Sequence, residues 1–358
     1  MRRGLIHWSQ EELPASALDA RVARLHSAMR SQKMAAVLVY ASFAQPAPLQ
    51  WLCNYIPYWA DALLLVWPTG APTLLVSGTP RTHPWIRSVS HVGELVAASR
   101  LGAQAAELLG SKLPAAARVG VVALDALPWS VAGPMFAAGW EGRLVDATAA
   151  YRSARHPGDA AEQGLASHAH AIAEAALAAL PKQARNTSEV IAAMEGAARR
   201  AGAEEVLPRI APDLARGATL LRIEGEQALG AHYAVDCSMA YKGAWIRMVK
   251  SFAGGAPPAS WTAAEDWFQS SLPRVGVAGA AEQALKEAPG RLEGWTLEAS
   301  TGVAPLSVVA GNGQPATFTL PAGSLAVFSA QLALDEGLWL RATALRIGSG
   351  ALTALETA

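Results

Sequence analysis

Apolar residues recur at helical spacing between Arg21 and Arg30, at Val22, Leu25 and Met29, and the next stretch, 35–40, is an apolar run of strand length. The pattern predicts a helix feeding a buried strand, the usual opening of an α/β domain. Apolar runs at 62–67 and 73–77 flank Pro68, Gly70 and Pro72, turn punctuation that predicts a β-hairpin. A helical stretch at 102–113 then leads into a further apolar run at 119–123. Residues 1–150 therefore read as one α/β layer domain.

The pattern changes after that point. Residues 151–159 form a polar link that reaches Pro157-Gly158, with Asp159 placed to cap a long Ala-rich helix ending near Leu180, before Pro181. Asn186-Thr187-Ser188-Glu189 opens another helix, acidic in its first turn, and Gly202 closes it. Much of the chain beyond Leu220 alternates like strands, and Asp335-Glu336-Gly337 reads as the turn between the last two long ones. Residues 151–358 thus predict an α+β domain, helices followed by an antiparallel sheet.

Composition narrows the function. The 29 Lys and Arg residues balance 29 Asp and Glu without a basic block, so the attraction on which nucleic-acid or anionic-lipid binding depends is missing. The longest apolar run, 34–41, is far below the roughly 20 residues of a membrane span. The N-terminal residues carry two arginines but no apolar stretch of signal-peptide type, so a soluble, cytoplasmic protein is expected. Cys53 and Cys237 are too few for a disulfide framework or a thiolate zinc site and read as buried thiols. The cluster Arg81, His83 and Arg87 reads as a solvated loop, and Ala310-Gly311-Asn312-Gly313 as a turn without the lysine of a phosphate loop.

The order of segments resembles the creatinase/aminopeptidase P family. The resemblance rests on the hairpin after Trp51-Leu52-Cys53-Asn54-Tyr55, the link 151–159, the helix start Thr187-Ser188-Glu189, Val235-Asp236 through Tyr241-Lys242-Gly243-Ala244-Trp245 to Phe252, and the stretch from Gly323 that finishes in Gly350-Ala351-Leu352-Thr353. It implies a creatinase-like N-terminal domain and a pita-bread C-terminal domain, usually in a homodimer whose subunits border each other's active sites. Metallopeptidases of this family hold two divalent cations with two Asp, one His and two Glu, hard donors that let the ions activate one water. Here the first Asp falls at Asp236, but the second falls at Arg247, a permanent cation. No His follows His232, and the two Glu fall near Ser329 or Gln331 and near Thr343. The resemblance therefore implies a member with no metal, no other cofactor and no peptidase activity. Its implied role is that of a non-catalytic or accessory subunit, in a homodimer or in a heteromer with an intact family member.

A second reading follows the metal-free branch typified by creatinase, which uses a His on the strand before the hairpin. His232 lies four residues before Asp236, on the same face of an extended strand. In this reading His232 is the base and Asp236 its partner in a metal-independent hydrolase or lyase that cleaves a C–N bond of a small amine or amidine. Arg247 or Arg341 would anchor an anionic group. A third reading keeps the cavity for a small molecule or peptide without chemistry. The pair Asp236 and Arg247 is read either as a polar pocket or as a structural ion pair. The aromatics are read in two ways as well: Tyr58, Trp59, Trp245 and Trp339 either line a ligand pocket or pack at a dimer interface.

Overall fold

The structure, a computed structural model, describes residues 7–275, 280–299, 307–312, 323–347 and 352–355. Met1 to Ile6, Gly313, Gly350 and Ala351, which enter the sequence reading above, lie outside the described residues. The chain divides into two compact units, the first running to His156 and the second beginning at Pro157.

In the first unit the elements are α1 (Ala15–Ser31), β1 (Ala36–Ala41), α2 (Ala47–Cys53), β2 (Ala62–Val66), β3 (Thr73–Val76), α3 (His83–Val89), β4 (Glu94–Ala97), α4 (Leu101–Lys112), β5 (Val119–Val122), α5 (Trp129–Ala137), β6 (Leu144–Asp146) and α6 (Thr148–Arg155). They build a six-stranded sheet in the order β4-β3-β2-β1-β5-β6. The hairpin expected around Pro68 is present as the antiparallel pair β2 and β3. Strand β1 is buried on both sides, and its alternate residues feed different cores: Val37 and Val39 face one, Ala36 and Leu38 the other. That division explains why β1 and β2 read as continuous apolar runs rather than alternating ones. Each aliphatic side chain so enclosed contributes about 1.5–3 kcal/mol.

Part of the expected link is helical instead. Residues 148–155 form α6, which packs on α1 and buries Ala150, Tyr151 and Ala154. The Tyr151 ring meets Trp51 edge-on at 5.5 Å. The spacing of these three residues makes a narrow apolar stripe, enough to fold the segment onto the first unit despite its polar composition.

The second unit contains α7 (Ala160–Ala178), α8 (Thr187–Arg200), β7 (Glu205–Ala211), β8 (His232–Tyr241), β9 (Ala244–Ala253), α9 (Ala259–Val275), α10 (Ala280–Lys286), β10 (Arg291–Ala299), β11 (Ser307–Gly311), β12 (Leu325–Leu334), β13 (Gly337–Ile347) and β14 (Leu352–Ala354). Asp159 caps α7 by accepting the Glu162 N–H at 2.9 Å, and Asn186 caps α8 by accepting that of Glu189 at 2.9 Å. The strands pair antiparallel in the order β11-β10-β12-β13-β9-β8-β7, with β14 on β13. Helices α9 and α10 interrupt the stretch read as mostly strands. Helix α9 buries Trp261, Ala264, Phe268, Ser271, Leu272 and Val275, a helical spacing. Among the described residues no helix is long and apolar enough to cross a membrane.

The β8–β9 turn is held by a carboxylate. Lys242 and Gly243 occupy left-handed backbone at φ 45° and 81°, and Glu204 accepts the Lys242 N–H at 2.6 Å. Burial outweighs this bond and pushes the Glu204 carboxyl up from 4.5 to about 7. A raised carboxyl pKa means that the folded state holds the proton more tightly. Its stabilising effect is complete below about pH 4.5 and is lost as pH rises through about 7. We therefore expect Glu204→Gln to gain stability relative to the unaltered protein progressively between these pH values, in urea unfolding at a series of pH values. A constant difference across that range would contradict the assignment.

Candidate functional site

Strand register sets the site. Asp236 on β8 lies opposite Val249, Ser238 opposite Arg247, and Arg209 on β7 opposite Asp236. Val249 in turn faces Ala342 on β13, Ala342 faces Ser329 on β12, and Ser329 faces Thr296 on β10. Directly paired residues share a face and the period is two, so Arg209, Asp236, Ser238, Arg247, Ser329, Gln331, Leu340, Ala342 and Glu298 all stand on one face. We call this the inner face; α7 and α9 pack on the other.

Asp236 is fully buried, with 0% exposure. Its Oδ2 pairs with the Arg209 guanidinium (Nη2) at 2.8 Å and accepts from Arg247 Nε at 3.2 Å, and its Oδ1 accepts from Ser238 Oγ at 2.8 Å. Arg247 Nη1 donates to Glu298 at 2.9 Å. Two guanidinium groups and two carboxylates thus form a balanced chain, Arg209–Asp236–Arg247–Glu298. Arg247 also lines a cleft of about 420 Å³, walled by Val249, Ser329, Gln331 and Leu340, and by Leu220 from the loop that joins β7 to β8. That loop is folded back by paired backbone bonds between Ile210 and Leu221.

These groups do not fit a pair of metal ions. Divalent cations of this kind need several oxygen or nitrogen donors free to coordinate, whereas the Asp236 oxygens already accept from Ser238 and Arg247 and are paired with Arg209, two of the three partners being groups that stay charged. Among the described residues no three His, Cys, Asp or Glu side chains gather where an ion could be held. Nor does Cys237 add a thiolate to the cluster. Cys237 points to the opposite face, and burial, with the Asp236 charge beside it, pushes its thiol up to about 12. The Cys53 thiol of the first unit is likewise pushed up to about 12 by burial.

The remaining sequence candidates divide. Trp245 stands on the inner face beside Arg247, at the hairpin end of β9. Arg341 and Trp339 belong to the outer face instead. Arg341 meets Glu265 of α9 at 3.2 Å, and its guanidinium lies 5.6 Å over Phe268, while Trp339 is 3% exposed in the core beneath α9. The expected ligand position at Thr343 also falls on the outer face, opposite Phe328, so its inner-face counterpart is Ala342. Neither side chain supplies a carboxylate. His232 is the first residue of β8, roughly 13 Å along the strand from Asp236, and its ring packs at 5.2 Å against Trp261 of α9. The period places His232 and Asp236 on one face, but the length of the strand keeps them from acting together. In the first unit Trp59 is 76% exposed with φ at 66°, and Tyr58 lies edge-on to it at 4.9 Å. Arg209 and Glu298 were not legible beforehand, since only strand pairing brings them to Asp236.

The ion chain makes a quantitative prediction. Removing Arg247 deletes a charge-assisted hydrogen bond to the buried Asp236, which keeps Arg209 and Ser238, and another to Glu298, so Arg247→Met should destabilise the protein by about 1.5–3 kcal/mol. The double variant Asp236→Leu with Arg247→Met should lose less than the sum of the two single changes, by urea denaturation of all four proteins. Additive losses would show that the two side chains are not coupled.

No family model matches the chain, and no curated protein matches it. Solved structures do. The dipeptidase PepE from Mycobacterium ulcerans is 17% identical and aligns over 96% of this chain and 96% of its own, with a TM-score of 0.68. The prolidase from Pyrococcus horikoshii is 13% identical over 94% of this chain and 98% of its own, at 0.71. The X-Pro aminopeptidase from Thermotoga maritima is 13% identical over 94% and 97%, at 0.72. The likeness is one of fold: the chain has the two-part architecture of these proteins, an α/β N-terminal half and a pita-bread α+β C-terminal half.

Proposed function

We propose that this chain is a metal-free, non-peptidase member of the creatinase/aminopeptidase P family, a non-catalytic or accessory subunit that pairs with itself or with an intact relative. The observation that carries this reading is the Asp236 carboxylate, fully buried and held by Arg209 at 2.8 Å and Arg247 at 3.2 Å. The neighbours in fold are named as peptidases, yet the inner face here offers guanidinium groups, hydroxyls and aliphatic side chains. Such a face binds rather than hydrolyses: an arginine that keeps its proton neither activates water nor accepts a proton.

Pairing is supported by the first unit. An exposed tryptophan in left-handed backbone, with a second aromatic ring against it, is surface that a partner subunit would cover. The rival reading, C–N bond cleavage with His232 as base, draws no such support, because His232 and Asp236 stand apart on β8 and His232 lies against Trp261.

The purified protein, incubated with Mn²⁺, Co²⁺ or Zn²⁺ and then dialysed, should retain less than one ion per chain by elemental analysis and should not hydrolyse Xaa-Pro dipeptides. Two retained ions together with hydrolysis would overturn the reading. Trp59→Ser should lower the mass measured by light scattering from that of an assembly to that of a single chain, and an unchanged mass would remove this residue from the interface.

A further inference from the structure

The cleft beside Arg247 carries hydrogen-bonding groups that the ion chain leaves unused. Arg247 gives its Nε to Asp236 at 3.2 Å and its Nη1 to Glu298 at 2.9 Å. Its Nη2 has no partner among the described residues and is open to solvent. Thr296 stands two residues before Glu298 on β10, on the same face, and its hydroxyl is likewise open and without a partner among the described residues. The amide of Gln331 on β12, opposite Gly294, is a third such group.

Strand register orders these groups along the cleft. Thr296 and Val249 share one row of the inner face, while Leu340 and Gln331 share the next, about 7 Å further along the strands. Arg247 and Thr296 therefore make a polar end, and Val249, Leu340 and Leu220 an aliphatic wall running from it toward Gln331. The volume of about 420 Å³ falls in the range of small-molecule sites.

Charge decides what can sit at the polar end. The Arg247 guanidinium already meets two carboxylates, and the four ionised groups of the chain cancel. A ligand carboxylate on Nη2 would stand close to both Asp236 and Glu298, and a ligand ammonium would stand against a guanidinium that never loses its charge. An uncharged carbonyl oxygen meets neither repulsion and still accepts from a charged donor. We propose that this cleft binds a small uncharged carboxamide with an aliphatic body. Its carbonyl oxygen accepts from Arg247 Nη2, its amide N–H donates to Thr296 Oγ1, and its chain lies along Val249, Leu340 and Leu220 toward Gln331. The inference rests on the metal-free reading of the inner face.

The test is a ligand-observed NMR titration of the full chain, dialysed against EDTA, with hexanamide beside hexanoate and hexylamine, which keep the alkyl chain and carry a charge at the same end. Hexanamide should bind, and each charged isostere should bind at least about tenfold more weakly. Thr296→Val keeps the shape and deletes the hydroxyl, and Arg247→Lys keeps the charge and deletes the fork. Each should weaken hexanamide binding by about fivefold or more. Absence of hexanamide binding at about 10 mM would overturn the proposal. So would equal binding of hexanoate or hexylamine, or unchanged affinity in both variants. Failure of the metal-free reading shows itself separately, as ions retained before the EDTA step.

Discussion

One fully buried carboxylate governs the C-terminal half of this chain. A charge such as that of Asp236 is tolerated out of water only when it is paired and hydrogen-bonded, and here it receives two guanidinium groups and one hydroxyl. These donors come from β7, β9 and β8 itself, and Arg247 carries the connection to Glu298 on β10. The ion chain therefore ties strands that are distant in sequence, and its geometry is met only in the observed register. A slip of one residue in any of these strands would turn its charged group to the helix-covered face.

The same constraint explains the chemistry. Related architectures that hold cations must leave carboxylate oxygens free, whereas this inner face commits them to arginine. The cleft is lined by Arg247 and by the neutral residues Ser329 and Gln331, beside Val249, Leu340 and Leu220. On the outer face Arg341 is satisfied by α9.

Much of this was legible in the sequence, and the exceptions have physical causes. The hairpin around Pro68, both helix caps and the Asp335-Glu336 turn follow from local rules, since a turn or a cap is decided within four residues. The cation at position 247 was legible as well, because hairpin partners lie at a fixed separation. Arg209 and Glu298 were not, since their meeting with Asp236 depends on pairing between distant strands. The ligand position expected near Thr343 falls on the outer face, next to the inner-face Ala342, because a shift of one residue in a strand is a change of face. Helix α9 was hidden by an expectation of strands, although Trp261, Ala264, Phe268, Leu272 and Val275 carry a helical period. Helix α6 was hidden by its polar composition, although three residues suffice to bury one stripe.

The central claim is that guanidinium groups stand where a cation would have to bind. Anomalous diffraction from crystals soaked in manganese chloride tests it most directly. The account predicts no anomalous peak within coordination distance of Asp236, with Arg209 and Arg247 still bonded to its carboxylate. A manganese ion seated on Asp236, with Arg247 swung away to admit it, would contradict the account.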